Sequence, residues 1–267
     1  MVAADWARRV ARAITAVVLV VASSSALAQD TKIAFQLDWR FEGPSALFLL
    51  AKAKGYFAQE KLDVTIDAGR RAFPIFARAN GIDPAKVAWT SMDPPLRETM
   101  LVRGDVDAIT GFYFTSLLNL NARGVKDEEV DVMQYPQHGV ALYGNAIIAS
   151  EQFIREKPEA VRGFLRAFTK AAREVIADPD GAIRYVKERD ALVDEALEKR
   201  RLRLAITSVI ATPAARTDGF GGVQPARLAD MVTQVSQAFE LKSAVKPEQV
   251  WNESYLPAKA ERMIFGK

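Results

Sequence analysis

Along this chain, short apolar runs of period two alternate with longer segments whose apolar residues recur every three or four positions. Past Ser150 the helical period takes over. Lys32–Leu37 reads as a strand and Ala46–Ala53 as a helix, with Pro44 suited to its first turn and Gly55 closing it. Leu62–Ile66 alternates as a second strand, and Arg71–Asn80 as a helix capped by Gly81. Val87–Thr90, Val106–Gly111, Val130–Met133 and Ala146–Ala149 are predicted strands. Pro95–Arg103 and Thr115–Ala122 are predicted helices stopped by Gly104 and Gly124. Four helices follow, over Pro158–Ala177, Asp180–Glu188, Asp194–Ile206 and Pro225–Phe239, with Leu165 placed on the apolar face of the first. Strand–helix alternation predicts an α/β fold with parallel-rich sheets covered by helices. Thr217–Gly222 lacks the strand-then-helix setting of a phosphate loop and reads as turn chemistry.

The first 28 residues change the charge picture. They carry Arg8, Arg9 and Arg12, then the apolar run Ala13–Val21, then Ser23–Ser25 and Ala26-Leu27-Ala28. A basic start, a short apolar middle and small residues at the cleavage positions predict a secretory signal peptide cut after Ala28. The apolar run falls short of the roughly 20 residues that span a bilayer. The mature chain is therefore expected to be exported, soluble and not inserted in a membrane. The whole chain has a formal net charge of +3. The leader, with three arginines against Asp5, holds two of those three charges and leaves +1 for the rest of the chain, so there is no electrostatic case for nucleic acid.

Catalytic and metal chemistry is sparse. The chain has no cysteine and a single histidine, His138. Disulfides, thiolate sites and a cysteine nucleophile are excluded, and histidine clusters nearly so. Asp93, Asp105 and Asp107 sit beside turns and read as caps, and His138 as a loop residue. Neither a catalytic residue nor a metal ligand nor a cofactor is expected. Binding residues are easier to find. Asp38, Trp39, Phe41 and Glu42 follow the first strand, at the sheet edge where open α/β sheets bind ligands. Phe112, Tyr113 and Thr115 hold the equivalent place after Val106–Gly111, and Tyr143 and Asn145 lead into the last strand. Aromatic faces beside a few amides and charges suit a small planar or polar ligand.

Three stretches, Leu37-Asp38-Trp39, Gly55-Tyr56-Phe57 and Glu60–Ile66, resemble the opening of the periplasmic substrate-binding proteins of ABC importers. The likeness is to the branch shared by sulfonate, nitrate and thiamine-pyrimidine-precursor binders and the thiamine pyrimidine synthases. Asn80–Val87, Arg103–Ile109, Tyr143–Ile148 and Glu159–Phe168 are similar to later parts of that family. The resemblance implies a type II periplasmic-binding-protein-like fold. Residues 29–69 and 150–267 would form a discontinuous first lobe with a helical tail, and 70–149 the second lobe. It also implies hinge closure on a small-molecule ligand, and docking on an ABC permease in the inner membrane. Asp38, Trp39, Phe41 and Glu42 would line one wall and Phe112–Thr115 the other, with Tyr143 and Asn145 near the crossover. Against the family's order of elements, a block is missing between Gly69 and Arg70, which leaves the first lobe incomplete. The resemblance favours an aminopyrimidine thiamine precursor as ligand. A sulfonate or nitrate binder and a truncated remnant without function stay open. A thiamine pyrimidine synthase is a minor alternative, because the cysteine-rich motif and lysine–histidine pair that the resemblance would require are absent.

Overall fold

The computed structural model describes residues 30–36, 42–67, 73–83, 86–88, 90, 96–140 and 142–266. Residues 32–267 form one unit. The predicted leader lies outside the described residues, and so do Asp38, Trp39 and Phe41. Strand β1 (Thr31–Gln36) leads through a 3-10 turn (Gly43–Ser45) into helices α1 (Ala46–Ala53) and α2 (Tyr56–Gln59), and then into strand β2 (Leu62–Asp67). The two strands pair in a two-stranded parallel sheet. A helical crossover is the connection that parallel neighbours require. Gly55 ends α1 with φ +69, a backbone angle that only glycine adopts without strain.

Helices dominate the rest. They are α3 (Phe73–Ala79), α4 (Arg97–Arg103), α5 (Tyr113–Asn121), α6 (Glu151–Glu156), α7 (Pro158–Ala177), α8 (Pro179–Arg189), α9 (Glu195–Ala205), α10 (Pro213–Asp218) and α11 (Pro225–Ala238). Two single turns, α12 (Pro247–Val250) and α13 (Lys259–Arg262), close the chain. The long predicted helices sit within a residue or two of their expected places. Asp178 and Asp194 cap α8 and α9 by accepting from the N–H groups of Gly181 and Leu197, at 2.9 and 3.0 Å.

The main core lies where α7 crosses α1 and α2, with α8 against α1. Ala160, Phe164, Ala167, Ala171 and Val175 recur at helical spacing on the buried face of α7. Phe164 lies 4.9 Å from the ring centres of both Phe35 and Phe57, and Phe48 stacks on Phe168 at 4.4 Å. Leu165, expected on this face, is half-buried and looks into a groove beside β1. A second, smaller cluster gathers Ile75, Phe76 and Val140, with Tyr135, Leu142, Val235 and Ala238 packed around it.

The expected parallel-rich sheets are corrected here. Among the described residues, Val106–Gly111, Val130–Met133 and Ala146–Ala149 join no ladder, and neither do those of Val87–Thr90. The arrangement among the described residues is α/β with one small sheet. Alternation of apolar residues reports a preference for a half-buried pleated surface. It does not supply the neighbouring strand that a backbone needs for its hydrogen bonds.

Candidate functional site

Glu42 and Thr115 come from the two stretches expected to face each other across a cleft, and they meet. Glu42 ends the segment before the Gly43–Ser45 turn, and Thr115 lies in the first turn of α5. The Thr115 hydroxyl donates to Glu42 Oε2 at 2.8 Å, and both side chains are buried. Helix α9 completes the group. The Arg201 guanidinium, 1% exposed, donates from Nε to both Glu198 oxygens at 3.1 and 3.0 Å and lies 3.5 Å from Glu42 Oε2. Its Nη1 donates to the carbonyls of Phe114 and Thr115, and its Nη2 to Asn119 Oδ1 at 3.1 Å. The Gly43 N–H donates to Glu198 Oε2 at 2.6 Å. A Cβ on Gly43 would lie 2.6 Å from the Glu198 carbonyl oxygen, so only glycine lets the turn approach α9 this closely. One guanidinium thus ties the N-terminal turn, α5 and α9 together.

Glu42 and Glu198 both lie against the Arg201 guanidinium. Burial pushes the Glu198 carboxyl above its ordinary value, against the opposing pull of Arg201 and the Gly43 N–H, while Glu42 adds to the rise. The folded chain therefore takes up a proton that the unfolded chain lacks, between the ordinary glutamate value of about 4.3 and the higher native one. Stability contributed here rises as pH falls into that window, and is lost as pH climbs through the native value. Glu198→Gln should flatten this stretch of the profile, as read from urea midpoints across a pH series. An unchanged profile would exclude Glu198 as the titrating group. Glu174 acts in a different window. Burial tends to raise it, but hydrogen bonds from Lys54 and Tyr56 prevail and hold it below its ordinary value. Its contribution is present above about pH 4.3 and lost as pH falls below.

Among the described residues, the other expected site side chains take no part in this bonded group. Phe112 and Tyr113, both half-buried, begin α5, and Phe112 stacks on Phe114 with centroids 5.3 Å apart. Tyr143 belongs to the neighbourhood of α11. Its hydroxyl accepts from the Gln224 N–H at 2.8 Å, and the Arg227 guanidinium lies 4.1 Å over its ring. Asn145 is exposed. His138 sits edge-on to Phe76 of the smaller core cluster, with ring centroids 5.8 Å apart. Beside α5, Arg97 donates to Glu98 Oε1, to the Thr110 carbonyl and to the Ser116 hydroxyl. Glu98 is fully buried, and its Oε2 accepts no hydrogen bond among the described residues. A groove of about 310 Å³ runs between Lys32–Phe35 and Ile147–Ser150, floored by side chains that include Phe153 and Phe164. Among the described residues no group of three or more His, Cys, Asp or Glu side chains is placed to hold a metal ion.

Arg201, Glu198 and Asn119 are not among the residues singled out from the sequence. A signal for two of them exists. Glu198, Arg201, Leu202 and Ala205 fall at one-face spacing on α9, so a charged pair occupies a stripe that is otherwise apolar. Charges on a buried stripe are seldom found without partners.

No curated protein matches the chain significantly. Residues 73–182, which run from the first residue of α3 into α8 and make up less than half of the chain, match the family model described as NMT1/THI5 like. Over that stretch the chain is similar to the family of sulfonate, nitrate and thiamine-precursor binding proteins, a family that also includes thiamine pyrimidine synthases.

Proposed function

We propose that this chain is the exported solute-binding component of an ABC-type importer. It would capture a small polar ligand by closure of two lobes and deliver it to an inner-membrane permease. The family match over 73–182 carries this reading. No helix among the described residues is long and apolar enough to cross a membrane, which agrees with it. The division into lobes is supported by the two core clusters. The larger draws almost wholly on 29–69 and 150–267, and the smaller is centred on 75–142.

In this reading the signal peptide is cut after Ala28 and the mature chain works in the periplasm. Glu42 and Thr115 hold the cleft floor together, so ligand contact falls to Asp38, Trp39, Phe41, Phe112, Tyr113, Tyr143 and Asn145. An aminopyrimidine thiamine precursor is the preferred ligand, because an aromatic wall beside a carboxylate suits a flat ring with an amino group. A sulfonate or nitrate is the alternative. Catalysis by a thiamine pyrimidine synthase route finds no cysteine in the chain to support it.

A second reading is a shortened remnant that no longer binds. Two observations favour it. The family match begins at Phe73, just past the Gly69/Arg70 junction, and only β1 and β2 form a sheet among the described residues. A thermal melt with and without aminopyrimidines, sulfonates and nitrate separates the two readings. A ligand at about 100 times its dissociation constant should add roughly 2.7 kcal/mol and raise the midpoint visibly. That shift should vanish in Trp39→Ala while the ligand-free midpoint holds. A cooperative melt that no compound moves would leave the remnant reading standing.

A further inference from the structure

The groove beside β1 has the walls of a sheet with one strand left out. Consecutive residues line it on each side, Lys32–Phe35 on one and Ile147–Ser150 on the other. Strand side chains alternate between faces, so a cavity touched by consecutive residues runs along a backbone edge and not over one face. Among the described residues β1 has β2 as its one ladder neighbour, and Ile147–Ala149 belong to no ladder. Helices α6 and α7 close the bottom with apolar side chains. Open edges of this kind accept an added strand, because main-chain hydrogen bonds supply the attraction.

The same chain carries an extended segment that complements this slot. Val130–Met133 alternates apolar and acidic residues up to its final methionine, lies outside any helix or ladder, and leaves Val132 39% and Met133 57% exposed. The backbone N–H groups of Asp131–Met133 donate to no backbone carbonyl among the described residues. Among the described residues Lys32 is the one charged side chain lining the groove, whereas the segment carries Asp131 and follows Glu128 and Glu129. The faces also agree. Val130 and Val132 would join Ile33 and Phe35, which pack against the main core, while Asp131 would join Lys32 on the outer face.

We propose that the groove accepts residues 130–133 of a second copy of this chain as an added strand. Reciprocal donation would close a symmetric dimer. The proposal goes beyond solute binding and does not depend on it.

The absence of cysteine makes the test clean. Ala34→Cys and Met133→Cys chains are prepared separately, mixed and mildly oxidised, so that only a contact between copies can join them. The control mixes Met133→Cys with Lys187→Cys, an exposed position on α8. The expected result is a disulfide-linked dimer well above the control, suppressed by an excess of a synthetic peptide covering residues 128–135. Linkage no greater than the control, or linkage that the peptide leaves unchanged, overturns the proposal. Should Ala34→Cys fail to fold, Ile148→Cys, 86% exposed on the opposite wall, takes its place with the same two criteria.

Discussion

Arg201→Ala should lower folding stability by about 3–5 kcal/mol, the range seen when one partner of a buried ion pair is removed. The expectation follows from how completely the guanidinium is used. It bonds Glu198, the carbonyls of Phe114 and Thr115, and Asn119, and it lies beside Glu42. Alanine would take the cation from between two buried carboxylates, each excluded from water. Glu198→Gln at the same pH should cost far less, because it removes one of two negative charges and keeps an acceptor for the Gly43 N–H. Urea unfolding of the two variants measures the contrast. Equal losses, or a loss below about 1 kcal/mol for Arg201→Ala, would show that the guanidinium does not hold the turn, α5 and α9 together.

The second large effect is expected at Phe164. Truncation to alanine should cost about 3–5 kcal/mol, from lost burial and from a cavity that the surrounding rings fill only partly. Phe164 is 5% exposed and contacts Phe35 of β1 and Phe57 of α2, so its ring joins three elements. Leu165→Ala is the internal comparison. Its side chain lines the groove and is half-buried, so its removal opens space already reached by solvent. Chemical denaturation should separate the neighbours clearly. Similar costs would mean that the groove is filled or closed in solution.

Helices were legible in this sequence because their signals are local. Pro158 and Pro179 stand at helix starts, Asp178 and Asp194 cap, Gly104 closes α4 with φ +74, and the apolar stripe of α7 repeats over many turns. Strands needed a neighbour that no local pattern specifies. Val106–Gly111 and Ala146–Ala149 have the composition of strands, and only the fold reveals that no ladder receives them among the described residues. The site was partly legible for the same reason. Glu42 and Thr115 stood out as charged and polar residues at the ends of apolar runs, and they do meet. Their dependence on Arg201 was hidden, because a charge on a helix reads as solvated until its stripe is seen to be buried. Tyr143 stood out from its place in the chain, but its pairing with Arg227 of a distant helix left no local signal.

The bond from the Gly43 N–H to Glu198 joins residues 155 positions apart in the chain, and α1 and α7, which pack together, are also far apart in sequence. Contacts of such separation carry a loop-closure cost that must be met before they stabilise anything. Among the described residues, α1 and α2 bury much of their apolar surface against α7 and α8, so the main core is expected to be completed only after those helices have been made.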